Sequence, residues 1–180
     1  MRIIAGAAKG RRLVAPRGLD TRPMTDRVKE ALFSSLGAAV RDTRVLDLYA
    51  GTGSLGLEAL SRGAAEATFV ERDRAALTAL RANVAAVGLG GVVVAGPVER
   101  FLDREGERFD LAFVDPPYAV PLASLNDVLS RLTARLVGGA VVVLHRRRGD
   151  EVQATVPSLV LTDRRHYGSA ELWRFAKEEM

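Results

Sequence analysis

The sequence predicts an α/β protein: one mostly parallel seven-stranded sheet covered by helices on both faces, with an antiparallel hairpin at its C-terminal edge. A small N-terminal β-hairpin is expected as an extension of it. Three observations carry this. From Arg44 onward short apolar runs alternate with helix-period runs, the mark of repeated βα units. The last stretch, "LVLTDRRHYGSAELWRFAKE", reads strand, Gly-Ser turn, strand with no helix between. The first stretch, "RIIAGAAKGRRLVAP", is basic, short and interrupted by Lys9-Gly10.

Taken in order, Arg2 to Ala5 and Arg12 to Ala15 are the expected arms of the N-terminal hairpin, with Lys9-Gly10 in its turn. A helix should start at Thr25, whose hydroxyl can cap orphan amides, with Asp26 favourably placed against the dipole. Val28, Leu32, Leu36 and Val40 recur every four residues and give it one apolar face. Five strands follow: "RVLDLYA", "ATFVER", "VVVAG", "FDLAFVD" and "AVVVLH", near-continuous in apolar residues, as strands buried on both faces should be. Helices are expected at 55–62, 74–87, 98–105 and 122–136. Leu77, Leu80, Val84 and Val87 share a face before Gly88; Leu125, Val128, Leu129, Leu132 and Leu136 do so before Gly138-Gly139. Residues 1–24 form the basic arm and 25–180 a single domain.

With 180 residues and 48% hydrophobic content the chain is sized for one core. Residues 1–30 hold eight Lys or Arg against three acids, a net +5, while the whole chain carries +4. A basic arm on a near-neutral body points to a polyanionic partner. The absence of Cys excludes disulfides and thiolate metal sites, and no residue cluster suggests a metal. No apolar stretch approaches the roughly 18 residues of a membrane span, so a soluble, cytoplasmic and monomeric protein is expected.

"VLDLYAGTGSLGLEAL" holds Gly51, Gly53 and Gly56, a G-x-G-x-x-G at a strand-to-helix turn, and Glu71 closes the next strand twenty positions after Gly51. A carboxylate there can accept from ribose hydroxyls. This much suits either a nicotinamide dinucleotide or S-adenosylmethionine. Asp47 separates them: an acid at the strand end repels a pyrophosphate and suits a ligand ammonium. The spacing D-x-x-x-G-x-G resembles motif I of the class I methyltransferases. Asp47, Tyr49, Gly51, Gly53, Glu71 and Arg72 are the candidate cofactor residues, and the resemblance adds the backbone amide of Val98.

"FVDPPY" places Asp115 at the end of the fourth strand, where the carboxyl ends of a parallel sheet face the ligand crevice. Asp115 and Pro116 each precede a proline and are held extended, so the carboxylate and the Pro116 carbonyl become rigid acceptors. Two acceptors gripping the two N–H bonds of an exocyclic amine free its lone pair for a methyl sulfonium. Tyr118 offers a stacking face worth on the order of 1–3 kcal/mol for a base. Asp115, Pro116 and Tyr118 are the candidate catalytic residues. "DPPY" resembles motif IV of the amino-methyltransferases that act on adenine N6, cytosine N4, guanine N2 or glutamine amide.

"RIIAG", "GRRL", "RPMTDRVKEALFSSL", "VLDLYAGTGSLGLEALSRGA", "FVERD" and "FVDPPY", in this order, resemble the bacterial RsmD family of 16S ribosomal RNA guanine-N2 methyltransferases. The resemblance implies a Rossmann-like class I methyltransferase fold, S-adenosyl-L-methionine as donor, and a looped guanine of 16S rRNA, in the small ribosomal subunit or its assembly intermediate, as acceptor. It also implies that the arm and the segment Arg22 to Arg27 hold RNA and close over the cofactor. Arg2, Lys9, Arg11, Arg12, Arg22 and Arg27 are the candidate RNA contacts, joined by Arg146 and Arg147 of "HRRRGD" after the fifth strand. His145 and His166 have no motif around them and are read as structural or surface residues. A DNA adenine methyltransferase would need a target-recognition region for which the chain has no room; a glutamine methyltransferase would more typically carry Asn at 115. A noncatalytic RNA-binding module is the rival from another class.

Overall fold

The computed structural model of this chain describes residues 1–16, 24–152 and 156–179. Helix α1 (Asp26–Leu36) starts where the sequence places it, with Thr25 Oγ1 accepting from the Val28 amide, and a 3-10 turn carries the chain on to Val40. Then strand β1 (Arg44–Leu48), α2 (Ser54–Ser61), β2 (Glu66–Glu71), α3 (Arg74–Val87), β3 (Val92–Ala95), α4 (Val98–Leu102), β4 (Phe109–Val114), α5 (Leu122–Leu132), β5 (Leu136–Arg147), β6 (Leu159–Tyr167) and β7 (Ala170–Lys177) follow. Asp73 caps α3 through the Ala76 amide and Gly88 ends it with φ 70°.

The seven strands form one sheet in the order β3-β2-β1-β4-β5-β7-β6. The first four pairings are parallel; β5 with β7 and β7 with β6 are antiparallel. The order reverses between β1 and β4, and a ligand crevice is expected outside the carboxyl ends of the strands at such a switch point. One face of the sheet packs against α1, α2, α3 and the N-terminal segment through Ile3, Leu32, Leu57, Phe69 and Leu80. The other packs against α4 and α5 through Leu46, Val98, Leu125, Leu129 and Phe175. Alternate residues of β1 serve opposite faces: Val45 joins the first core, Leu46 and Leu48 the second. Asp47 therefore points to the side of α2.

Two boundaries differ from expectation. Helix α5 stops at Leu132 and passes through a 3-10 turn, and Leu136 opens β5. Gly138 and Gly139 lie inside β5, where the pairing with β4 jumps from Leu136 to Val141; they serve a bulge rather than a helix stop. Helix α4 is likewise shorter than 98–105.

The N-terminal hairpin is reduced to a single bridge, Arg2 with Arg12, supported by Ile3 N–H to Arg11 O and Gly10 N–H to Ile3 O. Side-chain acceptors on the body replace a longer ladder. Glu58 accepts from the amides of Ile4 (2.8 Å) and Ala5 (3.1 Å), Ser61 Oγ from that of Ala8, and Asn83 from that of Val14. Ile3, Ala8 and Leu13 are buried against the helices. A Cβ on Gly6 would lie 1.7 Å from the Ser61 carbonyl oxygen, so only glycine allows this approach.

Candidate active site

A cavity of about 800 Å³ opens at the carboxyl ends of β1, β2 and β4, within the range of small-molecule sites. On one side it is bounded by Asp47, Tyr49, Gly51 and Glu71, on the other by Asp115, Pro116 and Tyr118. The two groups of residues that the sequence singles out thus share one space. The N-terminal segment supplies a wall through Met1, Pro16 and Met24, and Thr52 Oγ1 donates to Met1 Sδ at 3.2 Å.

The glycine loop is held by carboxylates. Tyr49 leaves β1 with φ 59°, an uncommon backbone for a ring-bearing residue, and Gly51 follows with φ 57°. Glu71 Oε2 accepts from the Gly51 amide at 2.8 Å, while Oε1 accepts from those of Arg72 and Asp73. Three amides leave the carboxylate capacity for one further donor such as a ribose hydroxyl. Gly53 does not line the cavity. Its φ of 80° starts α2, and a Cβ there would meet Leu80 at 2.5 Å, so its task is the turn and its packing.

Asp47 is 1% exposed, and its Oδ2 accepts from the Gly56 amide at 2.9 Å, closing the third orphan donor of α2 from across the loop. Burial pushes its carboxyl well above the usual range, against the pull of that amide, and Asp115 and Glu71 push the same way. A buried acid bordering a cavity, with no ion-pair partner among the described residues, suits a cationic ligand group. Tyr49 lies beside it; burial, with Glu99 second, raises its phenol to about 12, so it stays neutral. Arg72 is exposed at the rim, and Val98 lines the far wall at the first turn of α4.

At the other end, Asp115 is the first residue past β4, with its side chain 28% exposed. His145, 4% exposed at the end of β5, holds its Nδ1 2.7 Å from Asp115 Oδ1. The sequence carries no signal for this contact, since the pair is joined only by the β4–β5 register. Tyr118 faces the same imidazole with ring centroids 6.1 Å apart. Burial raises the Tyr118 phenol above its ordinary value, with Asp115 second.

Arg146, a candidate phosphate contact in the sequence, is buried rather than presented to solvent. It is 2% exposed, its Nε donates to Asp150 at 2.8 Å, and its terminal nitrogens donate to the carbonyls of Pro117, Tyr118 and Val120. A guanidinium with five donors is suited to gathering such a set of acceptors, and here it clamps the loop after the two prolines. Arg147 is exposed, borders the cavity and stands 4.9 Å from the Tyr118 ring centroid.

Of the other candidate RNA contacts, Arg2, Lys9, Arg11, Arg12 and Arg27 are exposed. Arg2 faces Asp26 at 3.7 Å, and Arg11 donates to the Ala86 carbonyl in the last turn of α3, so both are partly engaged. Arg22 lies outside the described residues. His166 is exposed beside Glu171. Among the described residues no cluster could hold a metal, and no helix is long and apolar enough to cross a membrane.

The family model described as Conserved hypothetical protein 95 matches residues 1–176. YlbH of Bacillus subtilis is 38% identical over 174 residues, covering 93% of this chain and 94% of that protein. Ribosomal RNA small subunit methyltransferase D of Escherichia coli K12 is 45% identical over 119 residues, 66% of this chain and 60% of that protein. Among solved structures, yhhF from Escherichia coli superposes with a TM-score of 0.88 at 36% identity, covering 100% and 99% of the two chains. The hypothetical protein TTHA0928 of Thermus thermophilus does so at 0.83 and 39%, with the same coverage. A match over nearly the full length, joined to relatives well above 30% identity, makes this chain a member of the RsmD family of methyltransferases.

Proposed function

We infer that this chain transfers a methyl group from S-adenosyl-L-methionine to the exocyclic N2 amine of a guanine in a loop of 16S ribosomal RNA. The observation that supports it most is the single cavity joining the acid-braced glycine loop to Asp115, Pro116 and Tyr118. The curated relatives named ribosomal RNA small subunit methyltransferase D favour ribosomal RNA as acceptor; guanine N2 rests on the family resemblance.

The bound cofactor supplies an electrophilic methyl on a sulfonium. Asp47 would face its ammonium group, Glu71 its ribose hydroxyls, and the loop from Tyr49 to Gly51 its backbone. On the acceptor side the base enters beside Tyr118, and looped bases are the ones that can be swung into a pocket and stacked. The Asp115 carboxylate and Pro116 carbonyl accept the two N–H bonds of the amine. Its lone pair, otherwise delocalised into the ring, is then localised and aimed at the methyl carbon. The chemistry the sulfonium would supply is formation of the N–C bond with the S–C electron pair retained on sulfur, and Asp115 would take up the amine proton released. Because Pro116 and Pro117 fix the backbone beforehand, the acceptors need no reorganisation as charge develops.

The deciding assay is labelled methyl transfer onto small ribosomal subunits from cells lacking the gene, followed by mass mapping of the modified nucleotide. Asp115→Ala should retain cofactor affinity within a few-fold and lower turnover by at least about a hundredfold. Label on an adenine, on protein, or nowhere would refute the guanine reading, and unchanged turnover in the variant would remove Asp115 from the mechanism.

A further inference from the structure

The two prolines fix the backbone around Asp115, but they do not fix its carboxylate. The terminal torsion of an aspartate is broad, and a carboxylate that swings cannot be an aimed acceptor. Something else must set its angle. The group placed to do so is His145, whose Nδ1 lies 2.7 Å from Asp115 Oδ1.

We propose that His145 is a positioning residue for methyl transfer: its Nδ1–H pins one oxygen of Asp115 and leaves the other for the substrate amine. This rests on the reading of Asp115 as the amine acceptor. The imidazole is itself enclosed. It is 4% exposed, sits on β5 between β4 and β7, and pairs with Leu172 in the β7 register. Its Nε2 is buried and has no hydrogen-bond partner among the described residues. A proton on Nε2 would be a buried donor without an acceptor, so the surroundings favour the tautomer with its proton on Nδ1, pointing at Asp115. The next residue completes the support. Arg146, anchored on Asp150, holds the carbonyls of Pro117, Tyr118 and Val120. Consecutive residues at the end of β5 thus fix the motif's carboxylate and its loop, and neither belongs to the motif.

The test compares side chains that differ in where they place a donor. An asparagine amide nitrogen comes near the position of Nδ1, whereas a glutamine amide reaches toward that of Nε2. His145→Asn, His145→Gln and His145→Leu are measured with small subunits as substrate for kcat and KM, with calorimetry for S-adenosylmethionine and a melting curve for folding. Losing a hydrogen bond to a charged group predicts a fall in kcat on the order of ten- to a hundredfold for Leu and Gln. Asn should recover most of it. KM for subunits and cofactor affinity should stay within a few-fold of the unaltered protein in all three. In combination with Asp115→Ala, His145→Leu should add no further loss, because it acts through that carboxylate.

Unchanged kcat in folded His145→Gln, alongside an inactive Asp115→Ala, would overturn the role of His145 and leave Asp115 in place. Equal losses in Asn and Gln would also overturn it, as would loss confined to KM. Full activity in Asp115→Ala would instead refute the acceptor reading on which the inference rests. If His145→Leu fails to fold, the Asn and Gln pair alone decides.

Discussion

Glu58 is where the N-terminal segment, the body and the cofactor wall meet, and its removal should cost more than any surface change. Its carboxylate has no solvent exposure; it accepts from the Ile4 and Ala5 amides and from Arg62 Nε at 2.8 Å, and it stands 3.5 Å from Lys29 Nζ. Lys29 is also fully buried, donating to the Arg2 carbonyl and to Ser54 Oγ; burial lowers its pKa and Glu58 opposes that. Glu58→Ala strands this ammonium and frees two arm amides at once. Breaking one partner out of a buried pair costs roughly 3–5 kcal/mol, a large share of a typical stability of about 5–15 kcal/mol. For a chain of this size that is a fall in Tm on the order of 10 °C. Because Met1 and Pro16 form part of the cavity wall, cofactor affinity should fall as well. The assay is thermal unfolding together with hydrogen exchange at the Ile4 and Ala5 amides. Adding Lys29→Met should restore part of the stability, by removing the stranded charge, while leaving the two amides fast to exchange. A Tm within about 2 °C of the unaltered protein, with both amides still protected, would refute this account of how the arm is held.

The raised carboxyl of Asp47 has a signed consequence. A group whose folded pKa is raised contributes stability that is full below its unfolded value and is lost as pH rises through the folded one. Asp47→Asn, whose amide oxygen can still accept from Gly56, should therefore stabilise the free protein increasingly from about pH 4 upward while weakening S-adenosylmethionine binding by roughly tenfold or more. Melting curves across pH with calorimetry check it; a variant less stable at every pH, or with unchanged affinity, would contradict it. Replacing Lys9 and Arg12, both exposed, with Ala should weaken RNA binding most at low salt and lower the slope of log K against log salt by about one to two. An unaltered slope would remove them from the interface.

The fold was legible because its signals are local and periodic. The cap at Thr25, the stop at Gly88 and the apolar faces of α1 and α3 each reside in a few neighbouring residues. Asp47 and Asp115 were legible because each sits in a short motif with its own spacing. What could not be read depends on register. That His145 reaches Asp115 follows from β5 lying beside β4, with Leu144 paired to Val114, and the histidine has no local pattern to announce it. Arg146 shows the same limit from the other side. In sequence "HRRR" is a charge run, and runs are read as solvated or phosphate-binding, yet Arg146 and Arg147 are adjacent in an extended strand. Their side chains leave the strand on opposite sides, and both guanidinium groups reach Tyr118: Arg146, buried, clamps the proline loop and stands 5.9 Å from the ring centroid, while Arg147, exposed, lies 4.9 Å from it at the cavity rim.

That alternation implies a division of labour that the shared charge conceals. Arg146 spends its donors on carbonyls inside the chain, and its removal would release the loop that carries Tyr118; the cost should appear in turnover and folding, with little change in the salt dependence of RNA binding. Arg147 has its guanidinium on an aromatic face at the cavity mouth, where an entering base would also seek to stack. Substituting Arg147 should instead alter substrate KM and its salt slope, with melting unchanged. The two Ala variants, compared side by side in the same methyl-transfer assay across salt, separate these outcomes. If both behaved alike, the opposite-face placement of these neighbours would have no functional meaning, and the charge run would be the correct unit after all.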